Sequence, residues 1–268
     1  MTLHSETIGF IGFGNMAKAI YKGLISNNQK LNIIFTEKDN LVAKKIEQEF
    51  PIKSVSKDTI YKTASIIIIA VKPQQYQTIL QPISNKKPNL IISILAGITM
   101  TTLEKQLGEH VPIIRCMPNT PALLQQGMSG ISFNKNITEQ HQEIAKTIFE
   151  GIGKMKVVPE NVMDTVTGIS GSGPAFFYQI CHDIAELANN QGLSYEDAIQ
   201  FAAQTLIGAG HMLLNSNKSP ETLIQEVSSP NGTTVAGLQN YKSNQVNKQI
   251  QAMIQAAITR SKELSKHN

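Results

Sequence analysis

Thr7-Ile8-Gly9-Phe10-Ile11-Gly12-Phe13-Gly14-Asn15-Met16-Ala17 is the stretch that decides the architecture of this chain. Thr7–Ile11 reads as a strand. Met16–Ser26 reads as a helix with Met16, Ile20 and Leu24 on one face. Between them, Gly12 to Ala17 has the form G-x-G-x-x-A. In such a turn the first glycine allows the tight bend and the second lets a pyrophosphate approach the backbone. The small last residue lets the helix pack close to the strand. The helix start behind it offers N–H groups and a partial positive charge to an anion. A glycine-rich turn without a ligand is the bland alternative, and the strand–turn–helix setting counts against it.

Working outward, Ile33–Thr36 is a second strand and Asp39–Phe50 a helix capped by Asp39. Ile66–Val71 is continuously apolar, as a strand covered on both faces must be, and Leu90–Leu95 and Ile113–Met117 repeat the pattern. This alternation predicts an α/β unit with a doubly wound sheet. After about Pro159 strand signals give way to helical spacing: Phe176, Phe177, Ile180, Ile184 and Leu187 in one helix, then a second opened by a capping box of Ser194 and Asp197. The second helix is apolar or small nearly all round through Leu214, so it should be buried on several sides, with a partner subunit as a natural source of that burial. A last amphipathic helix runs from Asn247 to Leu264. Two domains are expected, 1–161 and 162–268.

Composition narrows the function. The 268 residues carry 24 Lys and Arg against 20 Asp and Glu, scattered without a basic run, and no Trp, which disfavours nucleic-acid binding. Apolar residues at 41% exclude disorder as the main state. The two cysteines, Cys116 and Cys181, have no CxxC partner, so neither a disulfide framework nor a zinc site is expected. No stretch reaches the length of a membrane span, and the first residues do not read as a signal peptide. A reducing, cytoplasmic setting fits.

Several segments are suited to chemistry. Glu37 and Lys38, at the end of the second strand, fall where an adenosine ribose is read. Glu37 favours ribose hydroxyls and Lys38 a 2′-phosphate. Ala70-Val71-Lys72-Pro73-Gln74, Ser93–Gly97 and Arg115–Pro121 end three further strands, at the edge where ligands of open α/β sheets bind. Gly171-Ser172-Gly173-Pro174 suggests free N–H groups at a helix start, open to an anion or to water. Val227–Thr234 is an N–H-rich turn suited to a carboxylate or simply a capped loop. His182 and His211, the obvious general acids, read as structural or solvent-facing, and Cys116 as a small apolar group.

Together and in this order, GFIGFGNMA (Gly9–Ala17), AVKPQ (Ala70–Gln74), SILAG (Ser93–Gly97), RCMPNTPA (Arg115–Ala122), GSGPAF (Gly171–Phe176) and SSPNGTTVAGL (Ser228–Leu238) resemble the pyrroline-5-carboxylate reductase family. The first block is generic and the last two are specific. The resemblance implies a Rossmann-type sheet followed by an all-α dimerisation domain whose helices interleave between subunits, with dimers able to form rings such as decamers. It implies reduction of 1-pyrroline-5-carboxylate to L-proline by NADPH or NADH. It places Gly12, Phe13, Gly14, Asn15 and Met16 at the pyrophosphate. Ala70, Val71, Lys72, Pro73, Ala96 and Gly97 would then lie along the ribose and nicotinamide, with Asn119 nearby. Ser229, Asn231, Gly232, Thr233 and Thr234 would hold the substrate carboxylate, Gly171 and Ser172 would lie at the substrate end, and Thr234 would sit near the ring nitrogen.

The chain departs from the family pattern at two positions. Asn231 stands where the family usually has glycine, and asparagine tolerates a left-handed backbone. Glu37 stands where NADP enzymes more often carry a small or polar residue. Lys38 and Ser56 are candidates to offset it, so the cofactor stays open between NADPH, which the resemblance favours, and NADH. A β-hydroxyacid-type dehydrogenase is the competing enzyme. It resembles a family with a catalytic lysine on a C-terminal helix, and the helix after Pro174 has none through Asn190. A cofactor-binding sensor without turnover is the third alternative.

Overall fold

Ile66–Ile69 is buried on both faces and sits in the middle of the sheet. Ile66 and Ile68 join Phe10 and Phe35 in one core layer, while Ile67 and Ile69 join Ile60, Leu80 and Leu103 in the other. The two-residue period of a strand delivers alternate side chains to opposite layers, so an all-apolar tetrad requires cover on both sides. The computed structural model describes residue 3 and residues 6–26, 31–83 and 88–266. The opening residues considered for a signal peptide lie partly outside that set.

Among the described residues the sheet has eight strands: β1 Thr7–Ile11, β2 Asn32–Thr36, β3 Lys53–Ser54, β4 Ile66–Ile69, β5 Leu90–Ser93, β6 Ile113–Met117, β7 Gly127–Phe133 and β8 Gly153–Val157. Their order is β3-β2-β1-β4-β5-β6-β7-β8. Pairing is parallel except between β6 and β7, where Cys116 faces Ile131. The order reverses between β1 and β4, which creates the crevice where a doubly wound sheet binds its ligand.

Helices α1 Asn15–Ile25, α2 Asn40–Glu49, α3 Lys57–Thr63, α4 Tyr76–Ile83, α5 Met100–Leu107 and α6 Glu139–Glu150 connect these strands. Asp39 caps α2 as expected, accepting from Leu41 and Val42 N–H. Strands β4 and β5 end two residues before the sequence suggests. Ala70 N–H still bonds Ile11, but β1 turns away at Gly12 and β4 loses its ladder partner. β3, β7 and β8 were not foreseen. Gly127–Phe133 holds two glycines and two serines, a composition that reads as loop.

The chain forms two compact units, residues 1–172 with 257–268, and residues 173–256. The division falls later than the expected 161/162 because the segment after Pro159 belongs to the first unit. There α7 Met163–Val166 and a π-helical turn Thr167–Gly171 set Val166 against Gly130, and Asp164 accepts from Ser261 and Ser265.

The second unit is helical: α8 Gly173–Asn190, α9 Tyr195–Asn215, α10 Pro220–Glu226, α11 Thr233–Ser243 and α12 from Val246, which ends at Lys266 in the first unit. Ser194 caps α9 by accepting from Asp197 N–H, and its hydroxyl donates to the Asp197 carboxylate. The expected burial of α9 is not present within one chain. Only Ala198 is buried, while Phe201, Ile207, Leu213 and Leu214 stand more than half exposed. An apolar surface of this extent marks an interaction face.

Candidate active site

The glycine turn has the geometry its spacing requires. Gly12 has φ +83°, and a Cβ there would sit 2.9 Å from the Ala70 carbonyl oxygen. Gly14 has ordinary dihedrals and heads α1 without a side-chain cap. Nothing lies within 4 Å of where its Cβ would point, so the space over the helix start is open. The first N–H groups of α1 have no partner inside the helix. An open cradle lined by such donors fits a pyrophosphate. Asn15 is exposed and Met16 half-buried at the same start.

Phe13 meets the turn through its backbone, not its ring. Its ring is buried and packs against Phe10, Tyr21, Phe35 and Phe50, so it belongs to the core. Only its backbone N–H serves the turn, and Glu37 Oε2 accepts that N–H at 3.3 Å. The other oxygen of Glu37 accepts Lys38 N–H at 2.8 Å.

A pocket of about 270 Å³ opens beside this turn, lined by Gly12, Glu37, Lys38, Lys57, Val71 and Gln75 among others. Ser56 is exposed, caps α3 and is not among the residues that line this pocket. It accepts Thr59 N–H and pairs with the Thr59 hydroxyl. Lys57, the next residue, lines the pocket, and so do Thr78 and Ile79 of α4. The sequence signal for Thr78 and Ile79 is the segment after β4 at the strand-order reversal, beyond Gln74.

Farther along the sheet edge, Ala70 and Val71 are half-buried and Lys72 is exposed at the head of a 3-10 turn begun by Pro73. Ala96 and Gly97 form a turn after β5, with Gly97 at φ +74°. Asn119 is tied into the fold by its amide. Its Nδ2 donates to both the carbonyl and the hydroxyl of Ser170 at 3.2 Å, and its Oδ1 accepts Met128 N–H at 2.9 Å. Gly171 and Ser172 lie where the π-helical turn runs into α8. A Cβ on Gly171 would collide with Met117, and Ser172 N–H is taken by the Thr167 carbonyl because the chain is already helical there.

Arg115, which opens the RCMPNTPA block, was given no role in the sequence reading. It is buried and donates to Glu160 Oε1 at 2.5 Å, the oxygen that also accepts Met100 N–H. Cys116 beside it is buried, and burial pushes its thiol well above the ordinary range, so it is a poor nucleophile.

In the second unit, Ser229–Gly232 closes a turn through Gly232 N–H to the Ser229 carbonyl, 2.9 Å. Asn231 adopts φ +58°, the left-handed conformation a glycine would supply. Gly232 then heads α11 without a side-chain cap, which leaves the N–H groups of Thr233 and Thr234 directed out of the helix start. Thr234 is half-buried. His182 pairs with Tyr195 and Glu186 on the surface, and His211 is exposed. The ligand atoms of His182, Asp183 and Glu186, neighbours on one helix in the sequence, lie within 4.8 Å of one another. Exposed acidic groups of this kind are common without an ion. No helix among the described residues is long and apolar enough to cross a membrane.

The parallel sheet, its glycine turn and the pocket at the strand-order reversal define an NAD(P)-dependent oxidoreductase of the Rossmann class, and residues 7–97 match the family model described as NADP oxidoreductase, coenzyme F420-dependent. Residues 160–264 match the model for pyrroline-5-carboxylate reductase dimerisation. The chain belongs to the pyrroline-5-carboxylate reductase family. It is 36% identical to the pyrroline-5-carboxylate reductase of Pseudomonas aeruginosa over 268 residues, covering 98% of each chain. It is 31% identical to that of Coxiella burnetii, with a TM-score of 0.89 and coverage of 97% and 98%. The Plasmodium falciparum pyrroline carboxylate reductase structure, with NADP bound, superposes with a TM-score of 0.87 at 27% identity, over 98% of this chain and all of that one.

Proposed function

We propose that this chain reduces 1-pyrroline-5-carboxylate to L-proline, the last step of proline biosynthesis, using NAD(P)H. The observation that carries the reading is the Ser229–Thr234 turn, with Asn231 left-handed and α11 uncapped, in a chain whose relatives are reductases of this substrate. The open cradle at Gly14 supports a dinucleotide in the other half.

A bound nicotinamide supplies the hydride that the imine carbon accepts. The N–H groups at the start of α11 hold the substrate carboxylate, where the helix dipole favours negative charge. The Thr234 hydroxyl orients the ring nitrogen. A threonine hydroxyl is no proton reservoir, so the one proton the product nitrogen gains comes from solvent. The protonated imine is already electrophilic, and positioning alone can supply several kcal/mol of barrier lowering. His182 and His211 have no part in it. The Gly12–Met16 backbone, Val71 and the Ala96–Gly97 turn position the cofactor, with Gly97 at φ +74° keeping the turn tight.

The working form is a homodimer through the helices of residues 173–256, whose bare apolar faces support that reading, and dimers can assemble further into a decamer. The two free thiols fit a reducing cytoplasm. Steady-state oxidation of NADH and NADPH with pyrroline-5-carboxylate tests the reading. Turnover with either is expected, and nucleotide binding without turnover would overturn it.

A further inference from the structure

We propose that Glu37 makes this chain prefer NADH over NADPH, by fixing a carboxylate where the adenosine ribose hydroxyls arrive. The inference rests on the dinucleotide reading of the glycine turn.

Glu37 directly follows β2 and lines the pocket beside Gly12. Its two oxygens are tied to two backbone N–H groups, Phe13 at 3.3 Å and Lys38 at 2.8 Å. The carboxylate is therefore folded back onto the glycine turn and does not extend into solvent. An acidic residue so placed, some twenty residues after the glycine turn, accepts from a ribose 2′-hydroxyl. A 2′-phosphate has no proton to donate there, and it brings close to two negative charges against a half-buried carboxylate.

Lys38 and Lys57 line the same pocket and attract a phosphate. Both are exposed. Their ammonium groups sit on long flexible stems in water, where salt screens them and ordering them costs side-chain entropy. Glu37 is nearer the turn, less exposed and already ordered. Swinging it aside to admit a phosphate would break both of its hydrogen bonds and strip Phe13 N–H of its acceptor. The fixed carboxylate therefore outweighs the two mobile cations. Removing its charge hands the pocket to the lysines, so a single substitution should reverse the preference.

The test is titration of the whole protein with NADH and NADPH by nicotinamide fluorescence, without imine. The wild type should bind NADH about tenfold more tightly, equivalent to about 1.4 kcal/mol. Competition by ADP-ribose and by its 2′-phosphate should show the same order without any variant. Glu37→Gln keeps an acceptor for Phe13 N–H and loses the charge, so NADPH should tighten several-fold while NADH changes little. Glu37→Ser should bind NADPH the better of the two. Equal affinities in the wild type, a wild-type preference for NADPH, or parallel shifts of both nucleotides in the variants would overturn the proposal while leaving the reductase standing. Binding of neither nucleotide would overturn both.

Discussion

The amide of Asn119 is shared between Ser170 and Met128, so one side chain ties the loop after β6 to both β7 and the π-helical turn. Asn119 therefore sets the position of the loop. Asn119→Ala leaves Met128 N–H to water and should cost about 0.5–1.5 kcal/mol of stability. Urea unfolding measures this directly. NADH affinity should fall far less than stability, and a selective loss of affinity would restore a direct cofactor contact.

Gly12 and Gly14 look alike in the sequence and differ in the structure. At Gly12, alanine meets both φ +83° and the Ala70 carbonyl, so Gly12→Ala should destabilise the protein by about 1–2 kcal/mol or more from the backbone conformation alone. At Gly14, alanine meets nothing. Gly14→Ala should lose at most about 1 kcal/mol, the cost of alanine at an N-cap, and bind nucleotide about tenfold more weakly. Unchanged affinity in Gly14→Ala would mean the cradle does not hold a pyrophosphate.

The substrate turn separates conformation from chemistry. Asn231→Gly should be neutral, since φ +58° suits glycine, whereas Asn231→Ala should cost about 1 kcal/mol. Thr234→Ala touches no strained backbone. It should lower kcat and leave the dissociation constant for the nucleotide unchanged, and equal losses in both would contradict its orienting role.

Arg115 is buried with Glu160 as its charge partner, while Glu160 keeps about a third of its side chain exposed. Glu160→Ala strands the guanidinium and leaves Met100 N–H without Glu160 Oε1. The expected loss is about 2 kcal/mol, below the usual range for a buried pair because water reaches Glu160. A thermal melt showing no loss would mean that water substitutes for the carboxylate.

What the sequence disclosed follows physical period. β1, β2, β4, β5 and β6 were legible because strands covered on both faces must be apolar throughout. β7 and β8 were not: β7 is largely buried but built from glycines and serines, with Gly130 admitting Val166, and β8 is a mostly exposed edge strand. The glycine turn and the Asn231 turn were legible because each rests on local backbone requirements. The partners of Asn119, Ser56 and Arg115 were not. A hydrogen bond from residue 119 to residue 170 depends on the tertiary fold, and no spacing rule encodes it. Ser56 shows the same limit at short range, since a serine just before a helix also serves as its cap.

His141 gives the fold a pH dependence. At the start of α6, Thr138 accepts His141 N–H, and His141 Nδ1 accepts Thr138 N–H at 3.3 Å, closing a capping box. Only the neutral ring can accept, and burial lowers the pKa of His141 below its ordinary 6.5. The unfolded chain therefore binds a proton at higher pH than the folded one does. The contribution is fully present above about 6.5 and is lost as pH falls through the lowered folded value. His141→Gln keeps an acceptor at the third helical position and does not titrate. Melting at pH 7.5 and at 5.5 should show a smaller drop for His141→Gln than for the wild type. An identical drop would mean that the acid sensitivity arises elsewhere.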